Sequence, residues 1–171
     1  MINLKIYEDL KADDTRRYYP SSIPVQSYEP LTDNFAILDF PDDIGKGIIS
    51  KISFEEGDLI ANLSGVIINH QLLHTLQISE YQYVLDPFGG FLTHNCSPNA
   101  ELRFNPYSLY SIKKIEPSNI LTIDYEKSED YLTREFYCSC KSPNCKKYIV
   151  GKKAREEYDK EELEKKEKNN L

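Results

Sequence analysis

The placement of cysteine constrains this chain more than any other feature. Three of its four cysteines, Cys138, Cys140 and Cys145, fall within "CSCKSPNC", and the fourth, Cys96, stands well upstream in "THNCSPN". Cys96 could be a small buried residue, a nucleophile or a metal ligand. Four thiols in a reducing compartment bind metal more readily than they pair as disulfides. Their number matches a closed tetrahedral zinc site, and the Ser142-Pro143-Asn144 turn lets the backbone fold around an ion. A zinc held by four thiolates has no open position and is structural. It would tie a C-terminal loop to the segment that carries Cys96. The alternative is four unrelated core cysteines, and the clustering weighs against it.

Length and charge set the frame. A chain of 171 residues with 40% hydrophobic content suits one domain plus a tail. The N-terminal "MINLKIYEDLKADD" is acidic where a signal peptide needs an apolar run, and no stretch approaches the ~18 apolar residues of a membrane span. The expectation is a soluble protein of a reducing intracellular compartment, cytoplasm or nucleus, not secreted by a signal peptide and without a membrane partner. A net charge of -7 disfavours general attraction to nucleic acid and favours a cationic partner such as a lysine-rich peptide. Oligomeric state is not legible.

Local pattern gives a β-rich organisation. From Ile23 to Leu63, β-prone runs such as "NFAILDF" and "DLIANLSG" are punctuated by Pro, Gly and Asp. "NHQLLHTLQI" places Leu72, Leu73 and Leu76 on one face after Asn69, which predicts a short amphipathic helix with His70 and His74 sharing a face. "EYQYVLDP" alternates as a strand with Tyr81, Tyr83 and Leu85 together. "AELRF" and "YSLYSIKKI" form a strand pair, and "ILTIDYE" a further strand. The last twenty residues hold seven positive and seven negative charges, a solvated helix or disordered tail outside the core.

Four separated pieces, "GKG" (45–47), "THNCSPN", "ILTIDY" and "CSCKSPNC", have the order and spacing of the SET-domain family of protein-lysine methyltransferases, whose pattern runs G-x-G, N-H-S-C-x-P-N, E-L-T-F-D-Y and C-x-C-x-x-x-x-C. The chain resembles that family over about residues 35 to 151, in a minimal stand-alone form with a C-terminal zinc-binding post-SET segment. The resemblance implies a mainly β fold of small curved sheets with a pseudoknot and a few short helices. It divides the chain into an N-terminal extension (1–34) packing on the domain, a SET domain (35–126), a post-SET segment (127–151) and a charged helical or disordered tail (152–171).

It also implies S-adenosyl-L-methionine as cofactor, contacted by Gly45, Lys46, Gly47, Thr93 and His94 with Phe136 against the adenine. Zinc falls to Cys96, Cys138, Cys140 and Cys145, and Tyr125 matches the active-site tyrosine. Three positions depart from the pattern. Thr93 stands for the usual Asn, Asn95 for Ser, and Ile120 for the Glu of E-L-T. A backbone contact to the cofactor survives the first change and an amide contact does not.

Methyl transfer from a sulfonium to an amine is an in-line displacement, so a site must align three atoms and supply a neutral amine. Tyr125 can hydrogen-bond at the reacting centre, with Tyr81 and Tyr83 as candidate aromatic walls of the lysine channel. Ile123, at the position associated with product specificity, carries no hydroxyl, which favours di- or trimethylation. The substrate expected is a lysine-containing protein or peptide, a histone-like one being a candidate. A catalytically silent SET-like binding module and a methyltransferase acting on a small amine stand as alternatives.

Overall fold

The structure, a computed structural model, describes residues 14–41 and 45–169, with side chains described to residue 161. Residues 1–13 of the expected N-terminal extension and the acidic turn at 42–44 before "GKG" lie outside the described residues.

In chain order the strands are β1 (Phe35–Phe40), β2 (Gly45–Ser50), β3 (Leu59–Asn62), β4 (Val66–Ile68), β5 (Thr75–Ser79), β6 (Gln82–Leu85), β7 (Thr93–His94), β8 (Ala100–Phe104), β9 (Tyr107–Ser111), β10 (Thr122–Ile123), β11 (Phe136–Tyr137) and β12 (Tyr148–Ile149). Two helices, α1 (Tyr125–Ser128) and α2 (Lys152–Asn169), follow β10 and β12. Among the described residues the strands form three two-stranded sheets (β1-β2, β7-β10, β11-β12) and two three-stranded ones, ordered β3-β9-β8 and β4-β6-β5. Only β7-β10 is parallel.

Alternation explains which faces close. In β2, Ile48 is fully buried and pairs with Ile37 of β1, while Leu102 of β8 faces Leu109 of β9. These faces meet around Phe35, whose ring lies 6.1 Å from Phe54 and 5.1 Å from Phe88, with Tyr18 5.0 Å from Phe88. Each such fully buried side chain contributes roughly 1.5–3 kcal/mol relative to exposure. Residues 14–34 belong to this core, since Tyr19 is wholly buried and Arg17 grips Glu29 through two nitrogens at 2.6 and 2.9 Å.

Asp86, 1% exposed, fixes the approach to the site. One oxygen accepts from the backbone N–H groups of Phe88 and Gly89 at 2.8 Å each, and the other from the Tyr107 and Tyr19 hydroxyls. These bonds hold the turn that delivers Leu92 and Thr93 to β7.

Two local expectations are corrected, and of the two readings of the tail the helix holds. Residues 69–78 are a turn followed by β5, because Thr75 Oγ closes a loop onto both the N–H and the carbonyl of Leu72, and His74 adopts a left-handed φ of 65°. Such side-chain-to-backbone bonds compete with a helix, and pairing of Thr75, Leu76 and Gln77 with β6 decides the outcome. His70 and His74 therefore share no helix face. The "ILTIDYE" strand stops after two residues, because the Asp124 side chain accepts from the Glu126 N–H and caps α1. The charged tail is helical, and its first turn docks: the Lys152 N–H donates to the Glu129 carbonyl and that of Lys153 to the Asp130 carbonyl.

Candidate active site and metal centre

Parallel pairing of β7 with β10 builds the site. Thr93 lies opposite Thr122 and His94 opposite Ile123, and the bond continues from Asn95 N–H to the Ile123 carbonyl at 3.0 Å. Asn99 fastens the same strands from the other end, donating to the Ile120 carbonyl at 2.8 Å and accepting from the Thr122 N–H at 2.9 Å. The first residue of α1, Tyr125, thus comes to rest against His94, donating its backbone N–H to His94 Nδ1 at 3.2 Å. Nδ1 is the acceptor, so the neutral ring carries its proton on Nε2. Nε2 faces Cys96 Sγ at 3.2 Å.

The Tyr125 hydroxyl donates to the Leu92 carbonyl at 2.6 Å. Burial, with a contribution from the Glu129 charge, holds that hydroxyl above the usual phenol range. Tyr125 is therefore a neutral phenol at any physiological pH, a positioned hydrogen-bonding group. Its ring forms a corner with His94 (5.3 Å) and Phe136 (6.1 Å).

This corner lies on the wall of a cavity of about 810 Å³. Gly45, Lys46, Thr93, His94, Tyr125 and Phe136 all line it. Gly47 does not, but its position is set by the same packing. A Cβ there would lie 3.0 Å from the Phe40 ring and from Thr93 Cγ2, so the absence of a side chain lets β2 close on β7. Thr93, the departure from Asn, donates its hydroxyl to the Leu121 carbonyl at 3.3 Å. Lys46 reaches both Asp39 oxygens at 2.9 Å across the β1-β2 ladder, an exposed pair of small energetic weight.

The four cysteine sulfurs converge. Cys96, Cys138, Cys140 and Cys145 place their Sγ atoms within 4.8 Å of one another, and the Cys96–Cys138 separation is 3.9 Å. Tetrahedral thiolates at a Zn–S distance of ~2.3 Å lie about 3.8 Å apart, so the set fits zinc without rearrangement of the chain. The Lys146 N–H points at Cys96 Sγ and the Cys140 N–H at Cys138 Sγ, both at 3.4 Å, which suits anionic sulfur. Asn144 Nδ2 also donates to the Cys96 carbonyl at 3.2 Å, so the loop holds the β7 segment even apart from the metal.

Tyr81, Tyr83 and Ile123 are not among the residues that line this cavity. Tyr81 sits in the β5-β6 turn and is 72% exposed. Ile123 is 2% exposed in the hydrophobic core, because alternation in β10 turns Thr122 toward the cavity and Ile123 away from it. Tyr83, on β6, is half-buried, and its hydroxyl is raised by burial and by the nearby Glu129 charge.

The comparisons with known proteins fit this geometry. No family model matches the chain. A curated relative, the variant-silencing SET domain-containing protein of Plasmodium falciparum (isolate 3D7), is 25% identical over 138 residues, covering 64% of this chain and 5% of that protein. Among solved structures, KRYPTONITE in complex with mCHG DNA and SAH superposes with a TM-score of 0.57 at 19% identity, covering 67% of this chain and 28% of that one. A second KRYPTONITE complex, with mCHH DNA, H3(1-15) peptide and SAH, gives 0.57 at 18% identity, covering 68% and 29%. The methyltransferase domain of human histone-lysine N-methyltransferase SETMAR gives 0.54 at 16% identity, covering 68% and 58%.

The chain has the SET-domain fold. It spans only about a twentieth of the curated relative it matches. With the SET fold established, the cysteine cluster takes the place of the post-SET zinc site, and the mainly β architecture of small sheets is the one the sequence resemblance implied.

Within the SET fold, the sequence reading missed three groups. Asn99 was legible as the last letter of "THNCSPN" and acts through its amide. Glu126, with its side chain 2% exposed, binds Arg155 of α2 at 2.9 Å and Lys146 of the cysteine loop at 2.9 Å. Glu129, 4% exposed, lies on the cavity wall and receives the Gln77 N–H between its two oxygens at 3.1 and 3.2 Å. A charged residue near a helix end is ordinary in sequence, so neither glutamate stood out.

Burial raises two of these carboxyls, Asp86 to about 6 and Glu129 to about 8. A folded-state pKa above the unfolded one adds stability that is present below the unfolded value and lost as pH rises through the folded value. In the zinc-loaded protein the four thiolates act in the opposite sense, since unfolding releases the metal and the thiols then take up protons, so the buried carboxyl shows in a difference: the stability of wild type over Asp86→Asn, each unfolded in urea, is expected to fall as pH rises from about 4 to about 6. A difference that climbs through this window would contradict the assignment.

Proposed function

We propose that the chain is an S-adenosylmethionine-dependent protein-lysine N-methyltransferase. The observation that carries the reading is the convergence of Gly45, Lys46, Thr93, His94 and Phe136 with the buried Tyr125 hydroxyl on one cavity. The SAH in the KRYPTONITE complexes and the H3(1-15) peptide in one of them support it. S-adenosylmethionine, when bound, supplies a methyl group on a sulfonium, an electrophile that needs alignment with a neutral amine.

The residues divide the work. β2 and β7 offer backbone to the cofactor, and Phe136 offers an apolar ring for its adenine. Tyr125 holds a hydroxyl at the Leu92 carbonyl, so both oxygens can orient the amine and the methyl hydrogens at the reacting centre. Of the two tyrosines considered for the lysine channel, Tyr81 is exposed and Tyr83, half-buried on β6 but outside the residues that line the cavity, is the one retained as a wall of the lysine approach. The partner proposed is a lysine-bearing peptide, attracted by the net charge of -7. The same charge argues against nucleic acid as a partner, although the KRYPTONITE complexes contain DNA. The preference for di- or trimethylation that the resemblance attached to Ile123 loses its footing, because that side chain faces the core and not the cavity.

Incubation with isotopically labelled S-adenosylmethionine and a mixed protein extract, followed by mass spectrometry of labelled lysines, tests the reading. Label on protein lysines supports it, label on small amines alone assigns the other substrate class, and cofactor binding without transfer leaves a binding module. Tyr125→Phe is expected to keep the fold and cofactor affinity while lowering turnover about tenfold or more, about 1.4 kcal/mol of barrier. Unchanged turnover in that variant would move the role elsewhere, to Tyr81 or Tyr83.

A further inference from the structure

We infer that Glu129 is a catalytic residue of this site, the carboxylate that pairs with the incoming substrate ammonium and accepts its proton before methyl transfer. The inference rests on the lysine methyltransferase reading and adds to it the source of the neutral amine. Free lysine has a pKa near ~10.4, so roughly one side chain in two thousand is neutral at pH 7. Tyr125 cannot serve as a base, because its hydroxyl is held protonated and is committed to the Leu92 carbonyl.

Glu129 occupies a suitable place. It lies one helical turn after Tyr125, its own backbone N–H donating to the Tyr125 carbonyl at 2.8 Å, and it lines the same cavity. Its charge raises both the Tyr125 and the Tyr83 hydroxyls, so it acts on the start of α1 and on β6 alike. No salt bridge reaches it among the described residues. The groups around it are the Gln77 N–H of β5, the Ser128 hydroxyl of α1, the Tyr83, Tyr107 and Tyr125 hydroxyls, which feel its charge, and Asp130, whose own charge is taken up by Lys153 at 3.0 Å and by the Gln77 amide. A buried carboxylate with one backbone donor and no counter-ion is short of a cation, and a lysine ammonium in the channel supplies one.

A purely structural role does not need the charge, since the Gln77 N–H and the Ser128 hydroxyl would be satisfied by any neutral acceptor. Burial, opposed by the Gln77 bond and the Ser128 hydroxyl and aided by Asp130, raises the carboxyl to about 8, near the operating range of a general base. In the step proposed, a lysine Nε–H bond breaks, its electron pair stays on nitrogen and the proton passes to the carboxylate. The nitrogen pair then forms the bond to the methyl carbon while the carbon–sulfur pair returns to sulfur. The products are a thioether and a methylammonium, and the Glu129 proton leaves to water before the next round.

The test compares the pH dependence of kcat/KM on a lysine peptide for wild type, Glu129→Gln and Glu129→Asp, alongside cofactor affinity by calorimetry. With a carboxylate base that captures the ammonium, wild type reaches a plateau above about pH 8. Glu129→Gln keeps an acceptor for Gln77 but must wait for lysine that is already neutral. Its rate is expected to be down about 100-fold at pH 8 and to climb toward the wild-type value as pH approaches the lysine pKa of about 10. Cofactor affinity stays unchanged, and Glu129→Asp keeps the plateau shape at reduced height.

Parallel profiles, with Glu129→Gln lowered equally at every pH or not at all, overturn the inference while leaving the methyltransferase reading intact. Should Glu129→Gln not fold, a wild-type profile that still rises at pH 10 overturns it alone. A wild-type protein that binds S-adenosylmethionine and methylates no lysine overturns both readings.

Discussion

Cys140→Ser is expected to release the metal and, with it, the closure of residues 136–140 over the cavity. The four sulfurs lie within 4.8 Å of one another, and three of them belong to a loop whose only regular structure among the described residues is the two-residue β11-β12 ladder. Structural zinc contributes on the order of 10 kcal/mol or more to small sites of this kind, far more than such a ladder can replace. The effect reaches the reacting centre by a short path. Cys96 Sγ faces His94 Nε2, and His94 Nδ1 holds the Tyr125 backbone.

Elemental analysis of the variant should therefore find zinc well below one per chain. Cofactor affinity should fall at least about tenfold, or about 1.4 kcal/mol. Wild-type protein treated with a chelator should behave in the same way. Stoichiometric zinc in the variant, or cofactor affinity equal to wild type after complete zinc removal, would separate the cysteine loop from the cavity and refute this account.

The parts of the fold legible in the sequence are those where one residue type has one physical use. Four cysteines at these spacings require convergence, and two glycines around Lys46 allow close approach of the backbone, of which Gly47 against Thr93 is the direct instance. The β8-β9 pair followed from alternation alone. Patterns with two solutions misled. Leu72, Leu73 and Leu76 suit a helix face, yet Leu73 is 56% exposed and Leu76 is core because the chain turns at His74 and pairs with β6. A strand over "ILTIDYE" was equally reasonable until Asp124 acted as a helix cap.

The charged tail shows a third limit. Its composition reads as a solvated surface, and this holds for the exposed residues 156–161. Composition cannot reveal that Arg155, in the first turn, has a buried partner 29 positions earlier in the chain. Ion pairs between distant segments leave no periodic trace, and neither does a lone buried carboxylate such as Glu129.

That partner gives the second large effect. Glu126→Ala is expected to cost about 3 kcal/mol in urea unfolding at neutral pH, because one carboxylate serves three segments. It accepts from Arg155 Nη2 at 2.9 Å, from the Val150 N–H at 3.3 Å and from Lys146 Nζ at 2.9 Å. Its removal leaves a guanidinium with 19% side-chain exposure only the Tyr148 carbonyl and the exposed Asp159 for partners, and orphans a backbone donor in a residue 3% exposed, while Lys146, at 37%, can turn to water. The order of loss expected from those exposures is Glu126→Ala, then Arg155→Met, then Lys146→Met, the last below about 1 kcal/mol. Glu126 directly follows Tyr125 in α1, so the first variant should also lower turnover at full zinc occupancy, through misplacement of the phenol. A loss under about 1 kcal/mol for Glu126→Ala, or a larger one for Lys146→Met, would show that α2 and the cysteine loop are held to the active-site helix by something other than this carboxylate.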